Sequence, residues 1–67
     1  MEVIINNQTR EIPEETTLEA LIQLLEIEHA KGMAVAINKK VIPKRHWKAT
    51  RLNSRDEVLL IRASQGG

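Results

Sequence analysis

Sixty-seven residues with 28% charged side chains and a net charge of +1 describe a single small folded unit, not a polyanion-binding chain. The chain has no cysteine, which excludes disulfides, thiolate metal sites, a cysteine nucleophile and cysteine-borne sulfur. His29 and His46 are the only histidines and lie far apart, no apolar run approaches the ~20 residues of a membrane span, and "MEVIINNQTR" lacks signal-peptide character, so a cytoplasmic non-enzyme is expected.

The β-branched run "EVIIN" (Glu2 to Asn6) predicts a strand, "NNQ" a turn, and "TREI" (Thr9 to Ile12) a return strand stopped by Pro13. "PEETTLEALIQLLEI" follows. Its Leu18, Leu21, Ile22 and Leu25 recur at helical spacing and form one apolar stripe, which Leu24 and Ile27 widen. Glu14 and Glu15 precede the helix, where negative charge suits its N-terminus. Thr16 with Glu19 fits a capping box, and Thr17 is the competing cap. The helix is expected to fade near Glu28, with Gly32 supplying the turn that follows.

"MAVAIN" (Met33 to Asn38) alternates, placing Val35 and Ile37 on one face and Ala34 and Ala36 on the other. "NKK" turns the chain, and Val41 with Ile42 makes a very short strand ended by Pro43. The segment Lys44 to Asp56 reads as irregular, with one helical turn around Arg45 to Trp47. "EVLLIR" (Glu57 to Arg62) is the last and strongest strand. The order β-β-α-β-β-β predicts an α+β fold: a mixed sheet of four to five strands with one main helix on one face, packed on Val3 or Ile4, Val35, Ile37, Val58 and Leu60. The ubiquitin-like β-grasp is the compact fold with this order. It assigns residues 1–62 to one domain and 63–67 to a flexible tail.

Both faces of the last strand are apolar, Val58 and Leu60 on one and Leu59 and Ile61 on the other, although an outer sheet face in water calls for polar residues. Either an apolar patch stays exposed or the loop around Trp47 covers it; exposed patches of this kind often mark binding sites. Lys39, Lys40, Lys44, Arg45, Lys48 and Arg51 form a basic stretch. Nucleic-acid binding is one reading of it, and a solvated face that steers an acidic partner is the better one, since Trp47 is the only aromatic residue available to stack bases. Trp47 itself reads as a packing residue over a small core.

"AINKKVIPKRHW" resembles the middle of the ThiS family, the sulfur carriers of thiamine biosynthesis, through Ala36, Asn38, Ile42 with Pro43, Lys44 and Trp47. "RLNSRDEVLLIRASQGG" extends the resemblance through Leu52, Asp56, Val58 to Ile61, Gly66 and Gly67. A terminal Gly-Gly alone is weak, since at ~7% glycine about one chain in two hundred has it by chance; its fixed distance from the Pro-basic-x-x-Trp stretch is specific. Two departures are Lys44, where the family commonly has Arg, and Arg55, where it often has Gly. The second favours a turn without positive φ.

The resemblance implies a sulfur carrier and not an enzyme. The Gly67 carboxylate would be adenylated by an E1-like enzyme of the ThiF type. It would then be converted to a thiocarboxylate by a sulfur donor system and would pass sulfur to a thiazole synthase of the ThiG type. No cofactor is implied, because ATP is consumed by the partner, and neither nucleic acid nor membrane is a partner. Gly66 gives the tail its freedom, since glycine lacks a Cβ and threads a narrow channel. Counting back from Gly-Gly as in ubiquitin-like proteins puts Val58 and Leu60 inward. It leaves Leu59 and Ile61, with Gln65, to dock the adenylating enzyme. Carriers for molybdopterin synthesis or tRNA thiolation, and ubiquitin-like modifiers, share the fold and the Gly-Gly end. An interaction or nucleic-acid module with an inert tail is the reading from a different class.

Overall fold

The computed structural model describes residues 1–27 and 32–62, the last of these by its backbone. Strand β1 (Glu2–Ile5) pairs antiparallel with β2 (Gln8–Glu11), and Asn6 and Asn7 alone connect them, at φ 49° and 69°. Two consecutive left-handed residues make a type I′ turn, whose twist matches that of the strands it joins, and asparagine tolerates this conformation better than most residues. Because the turn needs only two residues, β2 begins at Gln8 and ends at Glu11, one residue earlier at each end than "TREI". Ile12 is freed from the sheet edge and buried in the core, its N–H bonded to Met1 O at 2.8 Å.

The helix α1 (Leu18–Leu24) starts at Thr17, whose Oγ1 accepts the Ala20 N–H at 3.1 Å. Thr16 is buried, and its hydroxyl donates to Pro13 O at 2.6 Å, so the Thr16–Glu19 capping box does not form. Nor does the helix run to Glu28. Glu26 takes φ 57°, its N–H bonds Gln23 O at 3.0 Å, and the Ile27 N–H reaches back to Ile22 O at 3.4 Å. This is a Schellman closure. Its cause is Ile27: nine residues beyond Leu18, it lies about half a turn out of phase at ~3.6 residues per turn and would face solvent in a continued helix. The closure folds it back against the core instead. Leu24 does not widen the buried stripe; it is 49% exposed.

Gly32, at φ 80°, leads into β3 (Met33–Ile37). Asn38 and Lys39, at φ 51° and 72°, form a second type I′ turn into β4 (Lys40–Val41). The short strand therefore falls one residue earlier than the Val41–Ile42 pair. In place of a single turn, a 3₁₀ helix spans Lys44–Ala49. Trp47 anchors it, buried in the core with its indole Nε1–H donating to Ile42 O at 2.9 Å. The chain then runs beside the helix entry, with Leu18 N–H bonded to Thr50 O at 2.8 Å and Leu52 N–H to Thr16 O at 2.9 Å.

A tight turn closed by Asp56 N–H to Asn53 O at 3.1 Å delivers β5 (Glu57–Arg62). Arg55 sits in this turn at φ 71°. Its non-glycine side chain therefore does not impose a different turn: the left-handed residue is retained, held by the Arg55 N–H to Glu2 O bond at 2.7 Å and the anchoring of Asp56.

The sheet has five strands in the order β2-β1-β5-β3-β4, with β1 and β5 parallel and the remaining neighbours antiparallel. This is the mixed β-grasp sheet, with the helix over one face. Val3, Ile5, Val35 and Val58 line that face and meet Leu18, Leu21 and Ile22 of α1, with Ile12, Trp47 and Leu52 closing the periphery. Of the two residues offered for β1, Val3 points inward and is fully buried, while Ile4 is only partly so. No helix among the described residues is long and apolar enough to cross a membrane.

Candidate functional site

Strand β5 is the element from which the terminal segment departs, and it lies in the middle of the sheet. On one side β3 pairs with it from Val58 to Arg62, in the register Ile37↔Val58, Ala36↔Leu59, Val35↔Leu60, Ala34↔Ile61 and Met33↔Arg62. On the other side β1 pairs with it only at Ile4↔Glu57 and Ile5↔Val58. Gln65, Gly66 and Gly67 lie outside the described residues.

Alternation along β5 places Val58 against the helix, with Leu60 partly buried there, and turns Leu59 and Ile61 to the opposite face, where they are 47% and 50% exposed. Their neighbours on β3 are Ala36 and Ala34, whose short side chains leave both larger groups standing proud of the sheet. The 3₁₀ helix packs against α1 on the other face, so among the described residues the Trp47 loop does not cover this patch. The first of the two outcomes open to the sequence therefore holds: an exposed apolar patch lies directly upstream of the terminal segment. Beside it is a shallow depression of about 240 Å³, lined by Ile4, Asn6, Asn7, Lys39, Glu57 and Leu59 among others.

Three polar side chains fix β5 to its neighbours. The Asp56 carboxylate accepts the Asn53 N–H at 2.7 Å and the Asn38 side-chain amide at 3.0 Å. Asn38 Oδ1 in turn accepts the Glu57 N–H at 3.0 Å. Asn6 Oδ1 accepts the Leu60 N–H at 2.9 Å, and Asn6 Nδ2 lies 3.5 Å from Leu60 O. In the sequence both asparagines read as turn residues, and nothing local signals this second use. The "NN" and "NK" dipeptides signal the I′ turns, but the direction of the side chains becomes legible only once β5 is known to run between the two turns.

The basic residues Lys39, Lys40, Lys44, Arg45, Lys48 and Arg51 are all exposed. Trp47 is buried to 4% exposure and offers no face for stacking a base, so this stretch is a solvated cationic surface. His46 is exposed on the 3₁₀ helix and His29 lies outside the described residues; among those described, no three His, Cys, Asp or Glu side chains group as metal ligands.

Comparison with known proteins gives consistent results. The sequence model of the ThiS family matches residues 3–67. The sulfur carrier protein ThiS of Escherichia coli (strain K12) is 28% identical over 67 residues, which cover 100% of each chain. The crystal structure of a thiamine biosynthesis protein (ThiS) from Geobacter metallireducens superposes with a TM-score of 0.88 at 22% identity, over 100% of both chains. A solution NMR structure of a thiamine biosynthesis protein from the same organism gives 0.81 at 23% identity, covering 100% of this chain and 88% of that one. The two structures agree with the β-grasp architecture.

Proposed function

This chain belongs to the ThiS family, and on that premise we propose that it is a sulfur carrier for thiamine biosynthesis whose reactive group is the main-chain carboxylate of Gly67. The observation that carries the reading is the family match running through Gly66 and Gly67, joined to a central strand whose outer face is apolar and exposed. Residues 1–62 form the body and 63–67 the segment that enters partner active sites.

The chemistry follows from the carboxylate. Ionised, it is a poor electrophile. In the site of an E1-like adenylating enzyme, of the ThiF type, its oxygen attacks the α-phosphorus of ATP and pyrophosphate leaves, forming an acyl-adenylate. A donor sulfur at the sulfide oxidation level then adds to the activated carbonyl, and AMP departs with the electron pair of the broken C–O bond. A thiocarboxylate remains, from which a thiazole synthase of the ThiG type draws sulfur. None of these steps needs a catalytic side chain on the carrier. With no cysteine in the chain, the C-terminus is the natural covalent home for the sulfur. Leu59 and Ile61 dock the adenylating enzyme, and Gln65 joins them as the segment enters. Dependence on ATP puts this chemistry in the cytoplasm.

Incubation with ATP, a cognate adenylating enzyme and a sulfur source, followed by intact-mass measurement, tests the reading. The expected result is a mass gain equal to exchange of one oxygen for sulfur, abolished by deleting Gly67. Absence of both an AMP adduct and sulfur incorporation would refute it.

A further inference from the structure

We propose that Asn6 is a positioning residue for activation of the C-terminus, acting through the backbone of β5. This rests on the carrier reading above. The parallel β1–β5 ladder carries bonds from Ile4 N–H to Asp56 O at 2.9 Å and from Asn6 N–H to Val58 O at 3.0 Å. There β1 ends, because the type I′ turn at Asn6–Asn7 takes the chain away into β2. The next peptide group of β5 on that edge belongs to Leu60, and the strand runs on to Arg62. The main chain of β1 no longer reaches it.

The side chain of Asn6 takes that place. Its amide carries the same two functions as a peptide group, a carbonyl acceptor and an N–H donor. It presents the acceptor to Leu60 N–H at 2.9 Å and the donor to Leu60 O at 3.5 Å. The ladder is thereby extended by one peptide unit beyond the end of its strand. Past Val58, β3 holds one edge of β5. Among the described residues, the Asn6 amide is the group bonded to the other.

This matters because Leu59 and Ile61 flank Leu60. The docking pair lies on β5 and the carboxylate follows that strand in the sequence, so on this proposal the direction in which β5 leaves the sheet biases where Gly67 is delivered once Leu59 and Ile61 are seated. Reactions of positioned groups are sensitive to displacements of about 1 Å, which can lower rates ~100-fold. An amide that fixes the second edge of β5 at Leu60 limits such displacement. It does so without touching a reacting atom.

Asn6→Gly isolates the side chain, because glycine adopts the left-handed backbone at this position without strain, whereas alanine would add a backbone penalty. Asn6→Asp keeps the acceptor for the Leu60 N–H. Each is compared with the wild type for adenylation by the cognate enzyme, for affinity to that enzyme and for hydrogen exchange at Leu60. Expected for Asn6→Gly are faster exchange at Leu60, an unchanged dissociation constant and a kcat for adenylate formation lowered by roughly tenfold or more; Asn6→Asp recovers most of that rate. If wild type is adenylated and Asn6→Gly keeps the wild-type kcat, the positioning role is overturned and the carrier reading stands. If both substitutions lower thermal stability and leave kcat untouched, Asn6 serves the fold alone. A wild-type chain that takes no AMP overturns the carrier reading and this role with it.

Discussion

Replacing Leu59 by aspartate tests the docking face directly, and the structure sets the expected size of both effects. Complete burial of a leucine side chain is worth about 1.5–3 kcal/mol. Leu59 is 47% exposed in the free chain, so folding realises about half of that, ~1 kcal/mol, and about as much remains for a partner. Leu59→Asp should therefore destabilise the monomer by ~1 kcal/mol, a drop of roughly 4–8 °C in Tm for a chain of this size. On docking it forfeits the remaining apolar burial and places a carboxylate where none is matched, which adds about 2 kcal/mol or more. The sum, ~3 kcal/mol, weakens affinity by more than about a hundredfold. Leu59→Ala, with no charge to bury, should lose only ~1 kcal/mol of binding, roughly fivefold. Titration calorimetry against the adenylating enzyme, alongside thermal melts followed by circular dichroism, reads both quantities. Wild-type affinity in Leu59→Asp would remove the outer face from the interface. Cooperative unfolding lost at room temperature would show that Leu59 belongs to the core and would equally reject the assignment.

Two further predictions concern the scaffold. Glu26→Gly and Arg55→Gly each relieve a left-handed non-glycine backbone, worth about 1 kcal/mol or more, and lose part of that to the greater freedom of the unfolded chain. Each should raise stability by ~0.5 kcal/mol in urea denaturation, and a fall would show that the side chain's own contacts outweigh the strain. Trp47→Phe keeps an aromatic ring but loses the pyrrole part of the indole and strands the Ile42 carbonyl, which now accepts the indole N–H at 2.9 Å. A loss of about 1–3 kcal/mol is expected from chemical denaturation followed by circular dichroism, and a neutral result would mean water reaches that oxygen.

The strands were legible because their patterns are local. "EVIIN" and "EVLLIR" are apolar, β-branched-rich runs and "MAVAIN" alternates, each within five or six residues, and each falls on a strand of the sheet. Boundaries were less legible: β2 and β4 end at Glu11 and Val41, each one residue short of the spans that Pro13 and Pro43 bound, and the end of α1 is set by a competition among distant groups. Nothing within "LLEIEHAKG" states that Ile27 gains more by folding back on the core than by continuing the helix; that depends on where β1 and β5 lie. Thr16 and Thr17 show the same limit. Either threonine can cap a helix, and the choice falls to Thr17 because Thr16 is buried with its hydroxyl on Pro13 O and its carbonyl on Leu52 N–H, a residue 36 positions later.

At the candidate site the same distinction separates the patch from its support. The apolar residues on both faces of β5 were visible as an excess: a strand with one face on a helix has no core use for Leu59 and Ile61 together with Val58 and Leu60. Parity then assigns the faces, because Val58 is buried and its neighbour must point the other way. The asparagines were legible only as turns, since an asparagine at positive φ explains itself locally. Their second role is not local: Asn38, at the end of β3, reaches Asp56 and Glu57 at the start of the antiparallel β5, while Asn6 needs the parallel placement of β1 beside β5 and the early end of that pairing at Val58. A parallel neighbour that stops short leaves peptide groups without main-chain partners on a central strand. An asparagine at the stopping point satisfies one of them and gives the last strand a second fixed edge one residue before Ile61, beside the pair proposed to dock the adenylating enzyme.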